Sequence, residues 1–419
     1  MAFLKLHRIF EIIRLAVMAG AVMLLALTVS AQAQTYNVVH SFTGPDGAAP
    51  YAGLTMDRAG NLYGTTTQGG NGHGTVFKLA REGSSWILTK LYSFGGGSDG
   101  ATPYARVIFG PDGTLYGTTA GGGGGACSGG CGTVFHLRPS PVVCRSIACP
   151  WTETVLYRFT GGSDGAVPLF GDLVFDQAGN LYGTAAAGGI TSGNCSPVGG
   201  CGVVFELTPT HGGWTETVLH SFNLDGSDGY YPNSGVIFDN SGNLYGTIVY
   251  GGTDNAGAVY ELTHSGSGWV ESILYSFGTE GQLPVGGLVM DRAGNLYGST
   301  ALGGSYGDGI IFELAPSGGN WTFTLLHTFT GDVGPEDSLT MDAAGNLYGT
   351  TFTDGLYDAG SVFKLMPGSG GWTYVDLYDF HDAGNFPSGN VILDSSGNLY
   401  GTAQDGGSGR AGVVWEISP

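Results

Sequence analysis

Short apolar runs separated by polar, glycine-rich turns fill almost the whole chain. A run at residues 53–57 ends in an aspartate, and a Gly-Asn pair precedes a second run at residues 62–65. A third run occupies residues 76–79, and Trp86 opens a fourth, followed five residues later by Leu91. Brief apolar runs bounded by Asp, Gly and Asn are typical of β-strands joined by tight turns. The pattern predicts four antiparallel strands, which we name a, b, c and d in chain order.

The four-strand unit recurs along the chain. Its marker is the tripeptide Leu-Tyr-Gly of strand b, which begins at Leu62, Leu115, Leu181, Leu244, Leu296, Leu347 and Leu399. Repeats of roughly 50 residues that cannot bury their own faces are typical of radially packed sheets. The sequence therefore predicts an all-β fold, a seven-bladed β-propeller with four antiparallel strands per blade.

The two ends of the repeat array are complementary. Residues 39–42 match strand d, whereas the last apolar run, which ends at Ile417, matches strand c. We expect the N-terminal strand to close the last blade as its fourth strand, because this closure leaves no unpaired edge between the first and last repeats.

Composition agrees with an all-β fold and narrows the range of partners. Glycine, with 79 residues, is too frequent for long helices, and a hydrophobic content of 42% argues against disorder. The net charge of −20 offers no phosphate-neutralising surface, so we expect no nucleic-acid partner.

The first 33 residues are predicted to be a signal peptide. Three basic residues precede an apolar run at residues 15–27, and Ala31-Gln32-Ala33 provides a small-residue cleavage site. An uncleaved membrane anchor is the alternative. Cleavage would leave residues 34–419 as a single propeller domain. We expect this domain to be monomeric, secreted or periplasmic, and without a stable membrane anchor.

The six cysteines suit an oxidising compartment and fall into three close pairs. These pairs are Cys127 with Cys131, Cys144 with Cys149, and Cys195 with Cys201. Six cysteines allow fifteen pairings, of which short separations favour the local disulfides. A metal site is the alternative, although zinc-type spacings and neighbouring histidines are missing. We expect the first and third pairs in b–c loops and the second on the other face, before Trp151.

The repeat motifs resemble a known family. The series D-x-x-G-N-L-Y-G-T-T, G-x-V-F-x-L and W-x5-L-Y-S-F is similar to the gloeo/verruco, or choice-of-anchor, tandem repeat of exported bacterial proteins. The motifs cover residues 35–419 in seven copies. The hairpin motif is also similar to that of two-component-regulator propeller repeats. The resemblance implies an exported repeat protein, often with a C-terminal sorting anchor, and brings no catalytic residues. Because the chain stops at Pro419 directly after a strand, we expect a released or periplasmic protein.

Single-copy departures from the repeat are the candidate functional residues. The d–a and b–c loops are predicted to share one face, which we call the mouth face because it surrounds one end of the central channel. Three residues after the proline of each d–a loop the blades carry Gly53, Arg106, Gly171, Gly235, Gly287, Ser338 and Asn390. Arg106 is the one cation of this set. Blade six places Glu336 and Asp337 just before the equivalent position, and Tyr51 and Tyr104 supply aromatic surface. We expect Arg106 and the two acids to face each other across the mouth.

Residues that recur in every blade are less suited to chemistry. Each d–a loop has an acid before its proline, such as Asp46 before Pro50, and seven near-equivalent carboxylates cannot provide the two environments of an acid–base pair. We expect these acids to bond the loop backbone, with structural calcium as the alternative and no other cofactor. His40, His220 and His327 are expected to pack at the rim.

These observations leave two classes of function and a structural alternative. The first is an exported, non-catalytic propeller that binds an extracellular carbohydrate or protein at the channel mouth through Arg106, Glu336, Asp337, Tyr51 and Tyr104. The second is a propeller enzyme: a glycoside hydrolase, a polysaccharide lyase or a metal-dependent lactonase. A purely structural repeat protein is the third interpretation.

Overall fold

The computed structural model describes residues 34–140, 151–226, 228–266, 268–331 and 333–419. Seven four-stranded antiparallel sheets dominate the described chain, and Tyr36–Ser418 form one compact unit. The sheets are the blades of a seven-bladed propeller, which confirms the predicted fold class. The predicted signal peptide and the pair Cys144 and Cys149 lie outside the described residues.

The strands follow the predicted a-to-d order. Blade one comprises β2 (Thr55–Met56), β3 (Leu62–Thr66), β4 (Thr75–Glu82) and β5 (Ser85–Ser93). Blade two comprises β6 (Ile108–Phe109), β7 (Leu115–Thr119), β8 (Thr133–Pro139) and β9 (Trp151–Arg158). Blade three comprises β10 (Val174–Phe175), β11 (Leu181–Ala185), β12 (Val203–Thr210) and β13 (Gly213–Ser221). Blades four and five comprise β15 (Ile237–Phe238), β16 (Leu244–Ile248), β18 (Ala258–Ser265) and β19 (Gly268–Ser276); and β20 (Val289–Met290), β21 (Leu296–Thr300), β22 (Ile310–Ser317) and β23 (Asn320–Thr328). Blades six and seven comprise β24 (Thr340–Met341), β25 (Leu347–Thr351), β26 (Ser361–Gly368) and β27 (Gly371–Asp379); and β28 (Asn385–Leu393), β29 (Leu399–Asp405), β30 (Val413–Ser418) and β1 (Thr35–Ser41). A ribbon of β14 (Gly229–Tyr230) and β17 (Tyr250–Gly251) and a 3-10 helix, Gly193–Val198, lie in loops.

The N-terminal strand closes the ring as predicted. β1 lies at the outer edge of blade seven and pairs with β30, giving the order β1-β30-β29-β28. Just after β1, the backbone N–H of Phe42 donates to the carbonyl oxygen of Gly412 at 2.9 Å. The last blade therefore combines the two ends of the repeat array, and no half-blade is left with an open edge.

Each strand b is buried on both sides because neighbouring blades pack against its two faces. In β3 all five residues are buried, and the glycine of Leu-Tyr-Gly leaves room for an aromatic ring from strand c. A Cβ at Gly64 would lie 2.6 Å from Cζ of Phe77. The tripeptide therefore recurs because this position admits only glycine beneath the ring.

Aromatic contacts join successive blades. The phenylalanine that follows each strand d contacts the strand c ring of the next blade, with centroid separations of 5.1 to 5.7 Å. The pairs are Phe42 and Phe77, Phe94 and Phe135, Phe159 and Phe205, Phe222 and Tyr260, Phe277 and Phe312, Phe329 and Phe363, and Phe380 and Trp415. Edge-on aromatic pairs add roughly 0.5–1.5 kcal/mol each beyond area burial, so the core is a ring of blade interfaces.

The d–a and b–c loops do lie together on the mouth face. Backbone bridges join Ala48 to Gln68, Ala101 to Gly121, Ala166 to Ala187 and Gln282 to Leu302, in each case linking a d–a loop to the b–c loop of its own blade. The a–b turns and c–d hairpins occupy the opposite ends of the strands. The loops with single-copy residues are therefore held on a framework of recurring backbone hydrogen bonds.

Candidate functional site

A ring of seven residues, which we call the collar, surrounds the mouth end of the channel. Each member lies nine positions before the leucine of Leu-Tyr-Gly; in blades one to six this is two positions before strand a, and in blade seven it is within β28. The collar residues are Gly53, Arg106, Asp172, Gly235, Gly287, Ser338 and Asn390. Neighbouring blades approach closely here, since a Cβ at Gly235 would collide with the carbonyl oxygen of Asp172.

Arg106 forms an ion pair with the next collar residue. Its Nε donates to Oδ2 of Asp172 at 2.5 Å, and its backbone N–H donates to Oδ1 at 3.3 Å. Each side chain retains 29% exposure, and Arg106 and Asp172 are the charged members of the collar. Burial raises the pKa of Asp172, while the Arg106 guanidinium opposes this change.

The position three residues after the loop proline is not the collar position in blade three. One more residue separates Pro168 from β10 than separates the corresponding proline and strand in blade one, so Asp172 and not Gly171 is equivalent to Arg106. Counting back nine positions from Leu-Tyr-Gly would have identified Asp172. The partner of Arg106 in the structure is therefore an acid of the adjacent blade.

Asp337 lies beside the collar and has an unusual protonation equilibrium. Its Oδ1 accepts from the backbone N–H of Ser338 at 3.1 Å, and its Oδ2 accepts from that of Gly389. Burial raises the pKa of Asp337 to about 7 against these two donors, and the carboxylates of Asp172 and Glu336 add to the rise. The carboxyl group thus gains or loses its proton near neutral pH.

Three aromatic side chains from blades one to three form a cluster next to the collar. Tyr104 lies between Tyr51 and Phe170, with centroid separations of 5.2 Å to each. All three are half-buried. Burial, the Tyr104 phenol and the carboxylate of Glu336 raise the pKa of Tyr51. Glu336 itself is exposed, so an acid borders the aromatic cluster.

Four of the five predicted site residues border one small recess. Tyr51, Tyr104, Phe170, Arg106 and Asp337 line it, together with Asp172, Ser338 and Asn390. Its volume is about 10 Å³, which is room for one water molecule. Arg106 and Asp337 border the same recess, whereas Glu336 is not among its lining residues. The structure pairs Arg106 with Asp172 and holds Asp337 through backbone N–H groups.

A larger cavity lies along the propeller axis below the collar. Its volume is about 620 Å³, and all seven blades line it. Arg106 and Asp172 border it at the mouth end, and Met341 and Asp342 at the end near the a–b turns. Between these ends its wall is largely aliphatic, with Leu173, Val236 and Leu288 among the lining residues. The collar therefore separates an apolar cavity from the mouth face.

A second aromatic surface continues the first around the mouth. Tyr230 stacks on Tyr250 with a centroid separation of 5.0 Å, and Tyr231 lies 6.4 Å from the same ring. These side chains border an open pocket of about 440 Å³ with Val198 and Leu283. Burial raises the pKa of Tyr231, and the Tyr250 and Tyr104 phenols both add to it. Aromatic side chains therefore extend from blade one to blade four.

Most exposed apolar side chains of the loops also lie on the mouth face. They belong to b–c loops and are Val198, Tyr306, Leu356 and Tyr357, with exposures of 40%, 68%, 74% and 56%. The loop that carries Val198 also contains one of the two described disulfides. Cys127 pairs with Cys131 and Cys195 with Cys201, in the b–c loops of blades two and three, as predicted.

The recurring loop acids bond their own loops. The backbone N–H of Gly95 donates to Oδ2 of Asp99 at 2.7 Å, and that of Thr160 donates to Oδ2 of Asp164 at 2.7 Å. The strand d tyrosine or histidine of the same blade interface also contacts the acid. These carboxylates are thus engaged in holding the loops. Asp332, the corresponding acid of the next-to-last d–a loop, lies outside the described residues.

Across the described part of the chain, we find no helix with the length and apolar character needed to span a membrane.

Solved structures similar to this one share the propeller fold. The extracellular domain of the hybrid two component system BT4673 from B. thetaiotaomicron is 11% identical, with a TM-score of 0.55 over 91% of this chain and 39% of that one. The polysaccharide lyase Uly1 is 11% identical, with a TM-score of 0.51 over 94% of each chain. The gluconolactonase XC5397 from Xanthomonas campestris is 15% identical, with a TM-score of 0.43 over 88% of this chain and 98% of that one. This chain thus spans about two fifths of the BT4673 domain.

Sequence comparison identifies the repeat family. No curated protein matches the chain. The family model of the Gloeobacter/Verrucomicrobia repeat matches residues 19–260 and 237–419, which together include all seven blades. The chain belongs to the Gloeobacter/Verrucomicrobia repeat family.

Proposed function

We propose that this protein is an exported carbohydrate-binding propeller whose ligand, an extracellular polysaccharide, lies across the mouth face. The observation that carries the proposal is the half-buried cluster of Tyr51, Tyr104 and Phe170 beside the charged collar. Aromatic faces pack against the C–H groups of sugar rings, and charged side chains exchange hydrogen bonds with hydroxyls. The two described disulfides are consistent with an extracellular location.

The shape of the mouth favours a polymer over a small sugar. The recess at the collar has room for one water molecule, so a sugar ring must lie above it. The aromatic side chains continue from Tyr51 to Tyr250 over four blades. A ligand with several linked sugar units could contact both aromatic surfaces at once, which would add the weak contributions of each contact.

The proposed role of the charged residues follows from their positions. Glu336 is exposed beside Tyr51 and would accept hydrogen bonds from hydroxyls of a stacked sugar. Arg106 uses its Nε for Asp172, which leaves the terminal guanidinium nitrogens for a ligand hydroxyl or carboxylate. Asp172 thereby positions Arg106.

Affinity electrophoresis and calorimetry of the purified protein with neutral and acidic polysaccharides test the proposal. Tyr104→Ala should weaken binding at least about tenfold, because removal of the central ring costs more than roughly 1.4 kcal/mol. Val270→Ala is the control, since Val270 is an exposed apolar residue of strand β19. Failure of every polysaccharide to bind, or equal affinity of Tyr104→Ala and the wild type, would exclude the aromatic cluster as the site. Binding of an extracellular protein and of no polysaccharide would favour the alternative that the propeller binds a protein ligand.

A polysaccharide-cleaving enzyme is the second candidate, and Asp337 is the observation that favours it. A carboxyl group whose pKa is raised to about 7 is suited to general acid or base catalysis at neutral pH. Chromatography of each polysaccharide after prolonged incubation would detect cleavage. Cleavage that Asp337→Asn abolishes would support this candidate, whereas intact polymer with unchanged binding would leave the binding function alone.

A further inference from the structure

A three-residue arrangement recurs where adjacent blades meet. The first residue is a tyrosine or histidine of strand d, opposite the valine of strand c in the same blade. The second is the acid of the d–a loop that follows. The third belongs to strand d of the next blade and lies opposite the leucine of strand c in that blade. At the interface of blades one and two these are Tyr92, Asp99 and Glu153, and the Tyr92 hydroxyl donates to Asp99 at 3.0 Å. Between blades two and three they are Tyr157, Asp164 and Glu216, with a corresponding bond of 3.1 Å.

The interface of blades three and four changes one donor atom. Here His220 replaces the tyrosine, and its Nε2 lies 3.2 Å from Oδ2 of Asp228. Glu271 occupies the third position, opposite Leu262. One imidazole nitrogen and one oxygen from each carboxylate lie within 4.8 Å of one another. Within the described parts of the chain, this is the one group of three such side chains this close together.

We propose that His220, Asp228 and Glu271 bind a divalent transition-metal ion that links blades three and four. A nitrogen with two carboxylate oxygens is a donor set for Zn²⁺ and its first-row neighbours, whereas calcium prefers oxygen ligands throughout. Zinc ligands lie about 2.0–2.2 Å from the ion, so a contraction on the order of 1 Å would bring the three side chains to bonding distance. None of the three residues belongs to the aromatic cluster of Tyr51, Tyr104 and Phe170, and the proposal does not rest on the proposed function.

The surroundings of the three side chains suit a bound cation. Asp228 is 8% exposed, and the backbone N–H groups of Asn223 and Gly229 hold its two oxygens at 3.0 and 2.7 Å. Oε1 of Glu271 is buried and has no hydrogen-bond partner among the described residues. Oε1 of Glu153 and Oε1 of Glu216 at the two preceding interfaces also have no partner in the described part of the chain, so this interface differs from them by the imidazole nitrogen, which adds a nitrogen ligand to the two carboxylates.

The histidine ligand is already oriented in the structure without an ion. The His220 ring is fixed edge-on against Phe222 at a centroid separation of 4.7 Å, so its Nε2 is already oriented toward Asp228. Two of the three ligands are therefore held before the ion arrives, which lowers the ordering cost of binding.

The other blade interfaces provide variants that the fold already accommodates. His220→Tyr converts this interface to the arrangement of Tyr92, Asp99 and Glu153. Glu271→Leu converts it to that of blades seven and one, where His40 lies 2.9 Å from Asp46 and Leu88 occupies the third position. His40→Tyr is the matched control, because it removes a histidine from an interface that lacks the third ligand.

Zinc titration of the chelator-treated protein tests the site, with Zn²⁺ itself as the probe and Co²⁺ absorption as a report of nitrogen and oxygen coordination. We expect one tight equivalent in the wild type and in His40→Tyr. His220→Tyr and Glu271→Leu should each weaken binding by more than about 100-fold, since even residues that only orient a ligand contribute roughly 10- to 100-fold. The thermal midpoint should rise with Zn²⁺ in the wild type and stay constant in these two variants.

Three results would overturn the site: no tight equivalent in the wild type, unchanged affinity in His220→Tyr, or equal loss in His40→Tyr. Circular dichroism of each variant without metal establishes that the blades remain folded. Polysaccharide binding by the same variants separates the two proposals, because loss of zinc should leave binding through Tyr104 intact.

Discussion

The two faces of the propeller are built from the same strands but use their polar side chains in different ways. On the face of the a–b turns, one aspartate serves each turn in six blades. Oδ1 of Asp57 accepts from the backbone N–H groups of Ala59 and Asn61, and Oδ2 accepts from the Asn61 amide and the Tyr63 hydroxyl. At the collar on the mouth face, charged residues occur in single copies, as in the pair of Arg106 with Asp172.

The number of hydrogen-bond donors around a carboxylate separates those that stabilise the fold from those that are available to a ligand. Burial alone would raise the pKa of Asp57, but its hydrogen bonds outweigh burial and lower it. Beside the collar, burial outweighs the two backbone donors to Asp337 and raises its pKa. A carboxylate with four donors is committed to its turn, whereas one with incomplete partners gains from a ligand that supplies them.

The largest expected effect on stability is at an a–b turn. Asp342→Ala removes the acceptor of bonds from Ala344, Asn346 and Tyr348 and should cost about 3 kcal/mol of unfolding free energy in urea denaturation. Polysaccharide affinity should not change. Glu336→Ala on the mouth face is the control, with a stability change within about 0.5 kcal/mol for an exposed residue. Equal losses in the two variants would remove the distinction between the faces.

A smaller effect is expected at the collar. Arg106→Gly alone should cost about 2 kcal/mol, because it leaves the half-buried Asp172 carboxylate without its cation. The double variant Arg106→Gly with Asp172→Gly gives both positions the residue found in three other blades, and it should recover at least about 1 kcal/mol of that loss. A double variant no more stable than Arg106→Gly would show that the unpaired Asp172 carboxylate is not the cause of the loss.

The sequence predicted the fold because each repeat carries its strands, turns and interface aromatics within about 50 residues. Leu-Tyr-Gly identified strand b, the Asp turn identified the a–b connection, and the complementary ends identified the closure by β1, all of which the structure contains. The first two signals are local in sequence and are repeated, Leu-Tyr-Gly in seven blades and the aspartate turn in six.

The candidate site was harder to predict from the sequence than the fold, because its residues come from different blades. Tyr51, Tyr104 and Arg106 were identified as departures from the repeat, and the structure brings them to one recess. Asp172 was missed because an extra residue in its loop shifted the register. The proximity of His220 to Glu271, residues of adjacent blades, had no local signal, and His220 was assigned to rim packing alone, although it does pack on Phe222.

The smallest effect is expected in how the free energy of unfolding depends on pH. The strand d glutamates beside the mouth loops and the aspartates of the a–b turns should contribute with opposite signs. Burial raises the pKa of Glu153 and of Glu216 to about 7, and the mouth loop acids Asp99 and Asp164 add to the rise. The folded state therefore holds more protons than the unfolded state between about pH 4.5 and 7, and stability falls as pH rises through this window. Turn aspartates such as Asp342 have a lowered pKa, so their contribution is lost as pH falls below about 4.

The loss of stability toward neutral pH and the loss toward acid pH place the stability maximum near pH 4–5, and a matched variant should reduce the first of these losses. Glu153→Gln with Glu216→Gln cannot titrate, so it should flatten the decline between pH 5 and 7 while leaving the loss toward acid pH intact. Each glutamate should contribute on the order of 1 kcal/mol, after allowance for the solvent that still reaches these half-buried side chains. Urea denaturation at half-unit pH intervals, in the presence of a chelator, measures both losses. Two results would contradict this prediction: a wild-type protein whose stability rises from pH 5 to 7, or a variant with the same slope as the wild type. Either result would show that these glutamates are charged in the folded state. The acids around the mouth loops would then behave like those of the turns.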